Sequence, residues 1–357
     1  MSDSTISAPK RARPAAWIGY AFIAVALLVL PFAVDATLGR TWVRIIDIAL
    51  LFTMLALGLN IVVGYAGLLD LGYVAFFAVG AYCYALLASP QHDIHASFLL
   101  LLPLGALVAA VFGVLLGAPT LKLRGDYLAI VTLGFGEIIR IFLNNLNRPF
   151  NITNGPQGIT LVDPLQAGGL SLSETYTLGG ITFAPVHSYY FVFLICALLI
   201  MLVSVRLEDS RIGRAWIAIR EDETAARAMG INTRNIKLLA FAMGATFGGI
   251  SGGLFSAFQG FISPESFTLL DSIMILCMVV LGGMGHVPGV VLGAVLLTAL
   301  PEALRYVGPL QQEWFGRVFI DPSDLRMLLF GLALVLMMLF RPAGLWPSKV
   351  RKRELST

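Results

Sequence analysis

The sequence is short of charge, cysteine and lysine, and each shortage removes a class of function. Only 13% of the 357 residues are charged, and the net charge of +3 is spread along the chain. There is thus no basic patch of the kind nucleic acids require. The three cysteines, Cys83, Cys196 and Cys277, sit inside apolar runs and read as small buried hydrophobes, not as disulfide partners or metal ligands. The four histidines, His92, His95, His187 and His286, are scattered through loops and helix ends without metal-ligand spacing. None of the five lysines, Lys10, Lys122, Lys237, Lys349 and Lys352, follows a glycine. That excludes the phosphate-binding loop GxxxxGK[ST], and with it ATP hydrolysis by that route. With no HExxH pair, no CxxC and no nucleophile elbow, the sequence gives no support to an enzyme.

What the chain has in excess is apolar sequence. Hydrophobic residues make up 58% of it and the mean hydropathy is +0.85, with runs reaching the roughly 20 residues that cross a bilayer. The runs are continuous, whereas the strands of a transmembrane barrel alternate in polarity over about 10 residues. The expected fold is therefore an all-α polytopic membrane protein without a separate globular domain. Ten spans are expected, at 16–34, 48–63, 71–88, 97–117, 127–144, 187–205, 238–258, 268–283, 288–301 and 327–340. The pair flanking GGMGHVPG reads as short or re-entrant. The first run, with 19 uncharged residues, exceeds a signal-peptide core of about 7 to 15 and is read as a retained helix.

Charge orients these helices. With ten spans and a cytoplasmic N-terminus, 17 of the 24 Lys and Arg residues fall on the cytoplasmic side, as the positive-inside rule requires. Both termini are thus expected in the cytoplasm, and an odd helix count would break the agreement. The expected layout is a flexible tail 1–15, a transmembrane domain 16–341 and a cytoplasmic tail 342–357. A long outer loop spans 145–186, in which Asn154-Gly155-Pro156 marks a firm turn and which offers a surface to a soluble partner.

The stretch around which the chain is organised is the polar island 206–237, which holds seven of the 24 basic residues and five of the 21 acids. Such a cluster cannot sit in hydrocarbon, so it forms an aqueous loop against the membrane face. One short helix is expected in it, from Asp222 to Met229. Glu221, Asp222 and Glu223 crowd its start, Arg227 falls in its last turn, and Gly230 is placed to end it in the left-handed conformation. Helical spacing puts Asp222, Ala225, Ala226 and Met229 on one small face suited to shallow docking in a partner's groove.

Two further patterns concern the spans. Gly105, Ala109, Gly113 and Gly117, and again Gly244, Gly248 and Gly252, repeat every four residues and let helices approach closely in lipid, within the bundle or between subunits. Intramembrane ionisable groups, costing about 2.5 to 3.5 kcal/mol each at a helix centre, need a reason. Glu137 and Arg140, three apart, can pair on one helix face. Asp70 and Asp271 read as lining a polar path or capping backbone groups. A glycine turn leading into a helix occurs twice, at 64–82 and 282–297, as in the paired interrupted segments of transporter repeats.

Seven strings in order resemble the LivM-type permease subunit of branched-chain amino acid ABC importers, over about residues 55–347. They are GYAGLLDLGYVAFFAVGAY (64–82), LRGDYLAIVTLGFGEIIRI (123–141), TNGPQGI (153–159), GRAWIAIREDETAARAMGI (213–231), QGFISPESFTLLDS (259–272), VVLGGMGH (279–286) and RPAGLWP (341–347). The resemblance places the segment that couples permease to ATPase on Glu221–Gly230. Of the importer pattern EAA followed by a later Gly, Ala225, Ala226 and Gly230 match, but Thr224 stands at the Glu position and the acid, Glu223, falls on a neighbouring face. The resemblance implies an inner-membrane complex with a second, LivH-like permease, two ATPases carrying ATP and Mg, and a periplasmic substrate-binding protein, with no cofactor on this chain. ATP binding would close the ATPases, pull the coupling helices and switch the bundle from inward-open to outward-open. The implied cargo is branched-chain or other hydrophobic amino acids, with urea, short amides and aromatic acids as alternatives. A secondary transporter working alone would need more convergent acids.

Overall fold

The computed structural model describes residues 14–91, 94–120, 125–167, 170–178 and 181–306, and single positions and short runs between 309 and 346. Its helices are α1 (Pro14–Leu38), α2 (Arg40–Leu59, continued by a π-helical turn, Asn60–Tyr65), α3 (Val74–Leu87), α4 (Phe98–Thr120), α5 (Asp126–Asn145), α6 (Pro185–Glu208), α7 (Arg211–Glu221), α8 (Glu223–Ala228), α9 (Thr233–Gln259), α10 (Leu269–Gly282) and α11 (Val287–Arg305). Short strands β1 (Ala88–Ser89), β2 (Ile94–His95), β3 (Ile159–Thr160), β4 (Gln166–Ala167), β5 (Leu170–Ser171), β6 (Tyr176–Leu178), β7 (Ile181–Phe183) and β8 (Phe261–Ile262) pair antiparallel as β1–β2, β3–β8, β4–β5 and β6–β7.

Among the described residues, seven helices are long and apolar enough to cross a membrane, with Ile23–Leu38 and Val74–Leu87 as shorter apolar helices. Nine of the ten expected spans overlie helices. The tenth, 327–340, lies largely outside the described residues, as do 1–13, Lys122, Arg124 and most of the tail 342–357. The span expected at 71–88 begins only at Val74, because residues 66–73 form an irregular segment after the π turn.

Contacts between the turns sort them into two faces. On one face, Trp42 donates to the Tyr306 hydroxyl (3.1 Å), Asp163 N–H to the Ala88 carbonyl (2.7 Å), and β3 pairs with β8. On the other, the 206–237 island meets Gly64 and Tyr65, and Asn60 meets Gly285. The helix α2 is the central post: 72% of its most apolar stretch is buried, against 33% for α4, α5 and α6, which face outward.

The glycine ridge of α9 works inside the bundle. A Cβ on Gly244 would lie 2.9 Å from the Gly58 carbonyl, one on Gly248 3.1 Å from Phe76 Cβ, and one on Gly252 2.2 Å from the Phe77 carbonyl. On the neighbouring side of α9, Gly249 packs against Gly105 and Ala109, and Gly113 against Phe241 and Ala245. Both ridges are thus consumed by α2, α3, α4 and α9 packing on one another, where close backbone approach replaces the apolar drive that lipid does not supply. GISGG (249–253), which spells GxSxG, lies within this continuous helix, with the Ser251 hydroxyl bonded to the Phe247 carbonyl (2.8 Å), and is no nucleophile elbow. Gly252→Ala is expected to destabilise the bundle by about 1–3 kcal/mol, because the added methyl meets backbone, not a movable side chain. The thermal midpoint of the purified protein in detergent checks this.

Candidate coupling interface and polar path

The island folds as two helices where one was expected. After α6, the Ser210 side chain accepts from Gly213 N–H (3.1 Å) and caps α7. Gly213 is required there, since a Cβ would fall 2.1 Å from the Leu207 carbonyl. The helix α7 runs to Glu221, so Glu221 ends one helix and does not begin the next. Asp222 is extended and caps α8, its Oδ1 accepting from Thr224 N–H (2.7 Å) and Ala225 N–H (3.0 Å). The stop follows the sequence: Gly230 is left-handed (φ +84°), with Ile231 N–H on the Ala226 carbonyl (3.1 Å) and Gly230 N–H on that of Arg227 (3.0 Å), a Schellman closure. The single helix missed α7 because its apolar positions, Ile212, Trp216 and Ile219, are diluted by Arg211, Arg214 and Arg220.

This two-helix unit is bolted to the bundle. Trp216 is fully buried, its indole N–H donates to the Ile236 carbonyl (2.7 Å), and its ring stacks on Tyr65 (centroids 6.5 Å apart). The Tyr65 hydroxyl donates to Glu208 (3.2 Å). Arg220 lies over Gly67 and donates to the Gly64 carbonyl (2.6 Å), inside the π turn. Glu223 accepts from Lys237 (2.6 Å) and Arg227 (3.2 Å), tying α8 to the start of α9. Burial raises the Glu223 carboxyl, but Lys237, the Thr233 hydroxyl and Arg227 together outweigh it and hold the group below the ordinary glutamate range.

The same face gathers strings that are far apart in sequence. Gly285 N–H donates to Asn60 Oδ1 (2.8 Å), and Leu345 and Trp346 N–H donate to the Leu281 (2.8 Å) and Gly282 (3.1 Å) carbonyls. The segments 64–73, 213–231 and 279–286, with Leu345 and Trp346, thus converge around the π turn. Such turns are frequent at functional sites.

The outward surface of the unit differs from expectation at two residues, Asp222 and Ala226. Ala225 and Met229 are exposed, Met229 at 83%, but Ala226 is buried at 4% against the protein's own fold. The exposed face of α8 is therefore Thr224, Ala225, Ala228 and Met229, with Asp222 occupied as a cap.

The polar residues of the spans separate. Asp70 is buried, its Oδ1 accepting from Gly72 N–H (2.9 Å), and Asp271 caps α10 by accepting from Thr268 N–H (2.9 Å) and hydroxyl (2.7 Å). Neither pairs with a cation among the described residues. Asp271 borders a cavity of about 220 Å³ walled by Phe52, Phe77, Phe193, Phe255 and Phe258. Glu137 and Arg140 do pair, Arg140 Nε standing 3.1 Å from both carboxylate oxygens, and Arg140 also reaches Glu265 (2.9 Å). One residue escaped the sequence reading: Asp47, fully buried on α2, with both oxygens unpaired among the described residues. The apolar run expected as a span begins at 48, one residue after Asp47, whereas the helix begins about two turns earlier, at Arg40.

Residues 41–338 match the family described as branched-chain amino acid transport system / permease component. The chain belongs to this family. The high-affinity branched-chain amino acid transport system permease protein LivM of Escherichia coli (strain K12) is 43% identical over 358 residues, spanning 96% of this chain and 79% of that protein. The probable LivM permease of Methanocaldococcus jannaschii is 31% identical over 70% of this chain and 69% of its own length. The LivH permease of Escherichia coli (strain K12) is 25% identical over 71% of this chain and 81% of its own length. No solved structure matches. The family assignment agrees with a multi-pass inner-membrane transport permease, and the likeness to both LivM and LivH proteins points to a two-permease importer.

Proposed function

We propose that this chain is the LivM-type permease subunit of an ATP-driven importer of branched-chain or other hydrophobic amino acids, paired with a LivH-like permease. Two ATPases, which carry the ATP and Mg, dock on the 206–237 loop, and a periplasmic binding protein delivers substrate to the opposite face. Both termini then lie in the cytoplasm. The observation that carries the reading is the exposed Met229 face of α8 on a unit whose other side grips the π turn of α2. A pull on that face is transmitted to the central helix of the bundle, which is what a subunit driven by separate ATPases requires. The test is uptake of labelled leucine by cells carrying the complete transport operon with and without this gene, with urea uptake measured alongside. Loss of leucine uptake is expected; loss of urea uptake alone would keep the machine and change its cargo.

A further inference from the structure

The helix α5 carries a charged stripe on a surface that lipid cannot cover. Glu137, Arg140 and Asn144 recur at helical spacing along it, and Glu265 reaches over from the Pro264–Ser266 turn. Their exposure is substantial: the side chains of Glu137, Arg140 and Glu265 are 41%, 26% and 62% accessible. Yet Glu137 stands eight residues before the end of α5, about 12 Å down a membrane-spanning helix. Charges so placed do not face hydrocarbon; they line polar cavities or protein contacts. The neighbouring face of α5 is different, with Ile138, Ile141 and Phe142 exposed as lipid requires.

The stripe has room and spare bonding capacity. One turn inward from Glu137, a Cβ added to Gly134 would meet no atom within 4 Å, so the surface beside the charges is open. Glu137 holds Arg140 through both carboxylate oxygens, while Glu265 uses one oxygen, from an exposed turn. Asn144 Oδ1 is buried and unpaired among the described residues, and its amide nitrogen is 3.5 Å from Glu265.

We propose that Glu137, Arg140, Asn144 and Glu265 form a binding site for the zwitterionic head of the transported amino acid. This rests on the importer reading above. The substrate carboxylate takes the place of Glu265 on the Arg140 guanidinium, one carboxylate exchanged for another. The released Glu265, with Asn144 Oδ1, accepts the α-ammonium. Ion pairs are exchanged in kind and no charge is left alone, so passage costs little; Glu137 stays fixed and aims Arg140. A solute lacking either charge leaves one partner unpaired and is disfavoured.

The test uses the assembled complex in proteoliposomes with its loaded binding protein, measuring leucine imported per ATP hydrolysed. Glu265→Gln is expected to lower that ratio about tenfold or more, the loss of a charge-assisted bond, and Glu265→Asp to recover part of it. An unchanged ratio in Glu265→Gln would overturn the site while leaving the importer reading intact. A Glu265→Gln complex that fails to assemble would also count against it, by showing the turn to be a structural clamp. Wild-type complex that hydrolyses ATP but moves no amino acid would sink the importer reading and the site together.

Discussion

Aspartate at both Ala225 and Met229 is expected to abolish ATP-driven uptake while the permease itself still folds. Both side chains point away from the bundle, so the change removes no internal contact. A Met buried by a partner contributes roughly 1.5–3 kcal/mol, and a carboxylate forced into the same groove without a partner adds several kcal/mol of desolvation. Together these exceed what a small docking surface offers. The measurement is co-purification of ATPase subunits on tagged permease, with the thermal midpoint as control. ATPase recovery at the wild-type level would remove α8 from the interface. Ala226→Glu is not a clean probe, since Ala226 is buried within the chain and a glutamate there would disturb folding and docking together.

The fold was legible where physics is one-dimensional. Continuous apolar runs, the left-handed stop at Gly230 and the turn at Asn154, whose φ is +60°, follow from single residues or short windows. The i, i+3 spacing of Glu137 and Arg140 was enough to pair them. Glycine spacing gave close packing, but whether Gly244, Gly248 and Gly252 met another subunit or their own chain depends on tertiary contacts far away in sequence. The helix α7 was lost for a related reason: its apolar face is three residues wide, and arginines surround it, so composition read as a solvated loop.

The candidate site was legible as a location but not as a mechanism. The polar island announced itself by charge, yet nothing local says that Trp216 stacks on Tyr65 or that Arg220 reaches Gly64, partners more than 140 residues away in sequence. Glu265 is the sharpest case. It lies in QGFISPESF, a string that marks the family resemblance, but only the β3–β8 pairing and the turn after it carry the carboxylate to Arg140. Asp47 shows the opposite failure, a local one: starting α2 too late left a buried carboxylate in what read as a loop.

Arg220→Met is expected to leave ATPase binding intact and lower leucine moved per ATP by about tenfold or more. The docking face proposed above is on α8, whereas Arg220 is the side chain on α7 that grips the π turn, through a charged hydrogen bond worth roughly 1.5–3 kcal/mol. Gly64 also abuts Gly285, whose N–H is held by Asn60, so the grip extends to the turn between α10 and α11. Methionine keeps the apolar stem over Gly67 and removes only the donor. A second variant tests the same contact from the other side. Gly67 has φ +68°, and a Cβ there would lie 2.4 Å from Arg220 Cγ, so Gly67→Ala pushes the arginine off. If force passes through this contact, the double variant should be hardly worse than either single one, because both break one interaction. Additive losses, or a wild-type ratio in Arg220→Met, would show that the loop drives the bundle by another route, with the Trp216–Tyr65 stack as the remaining connection.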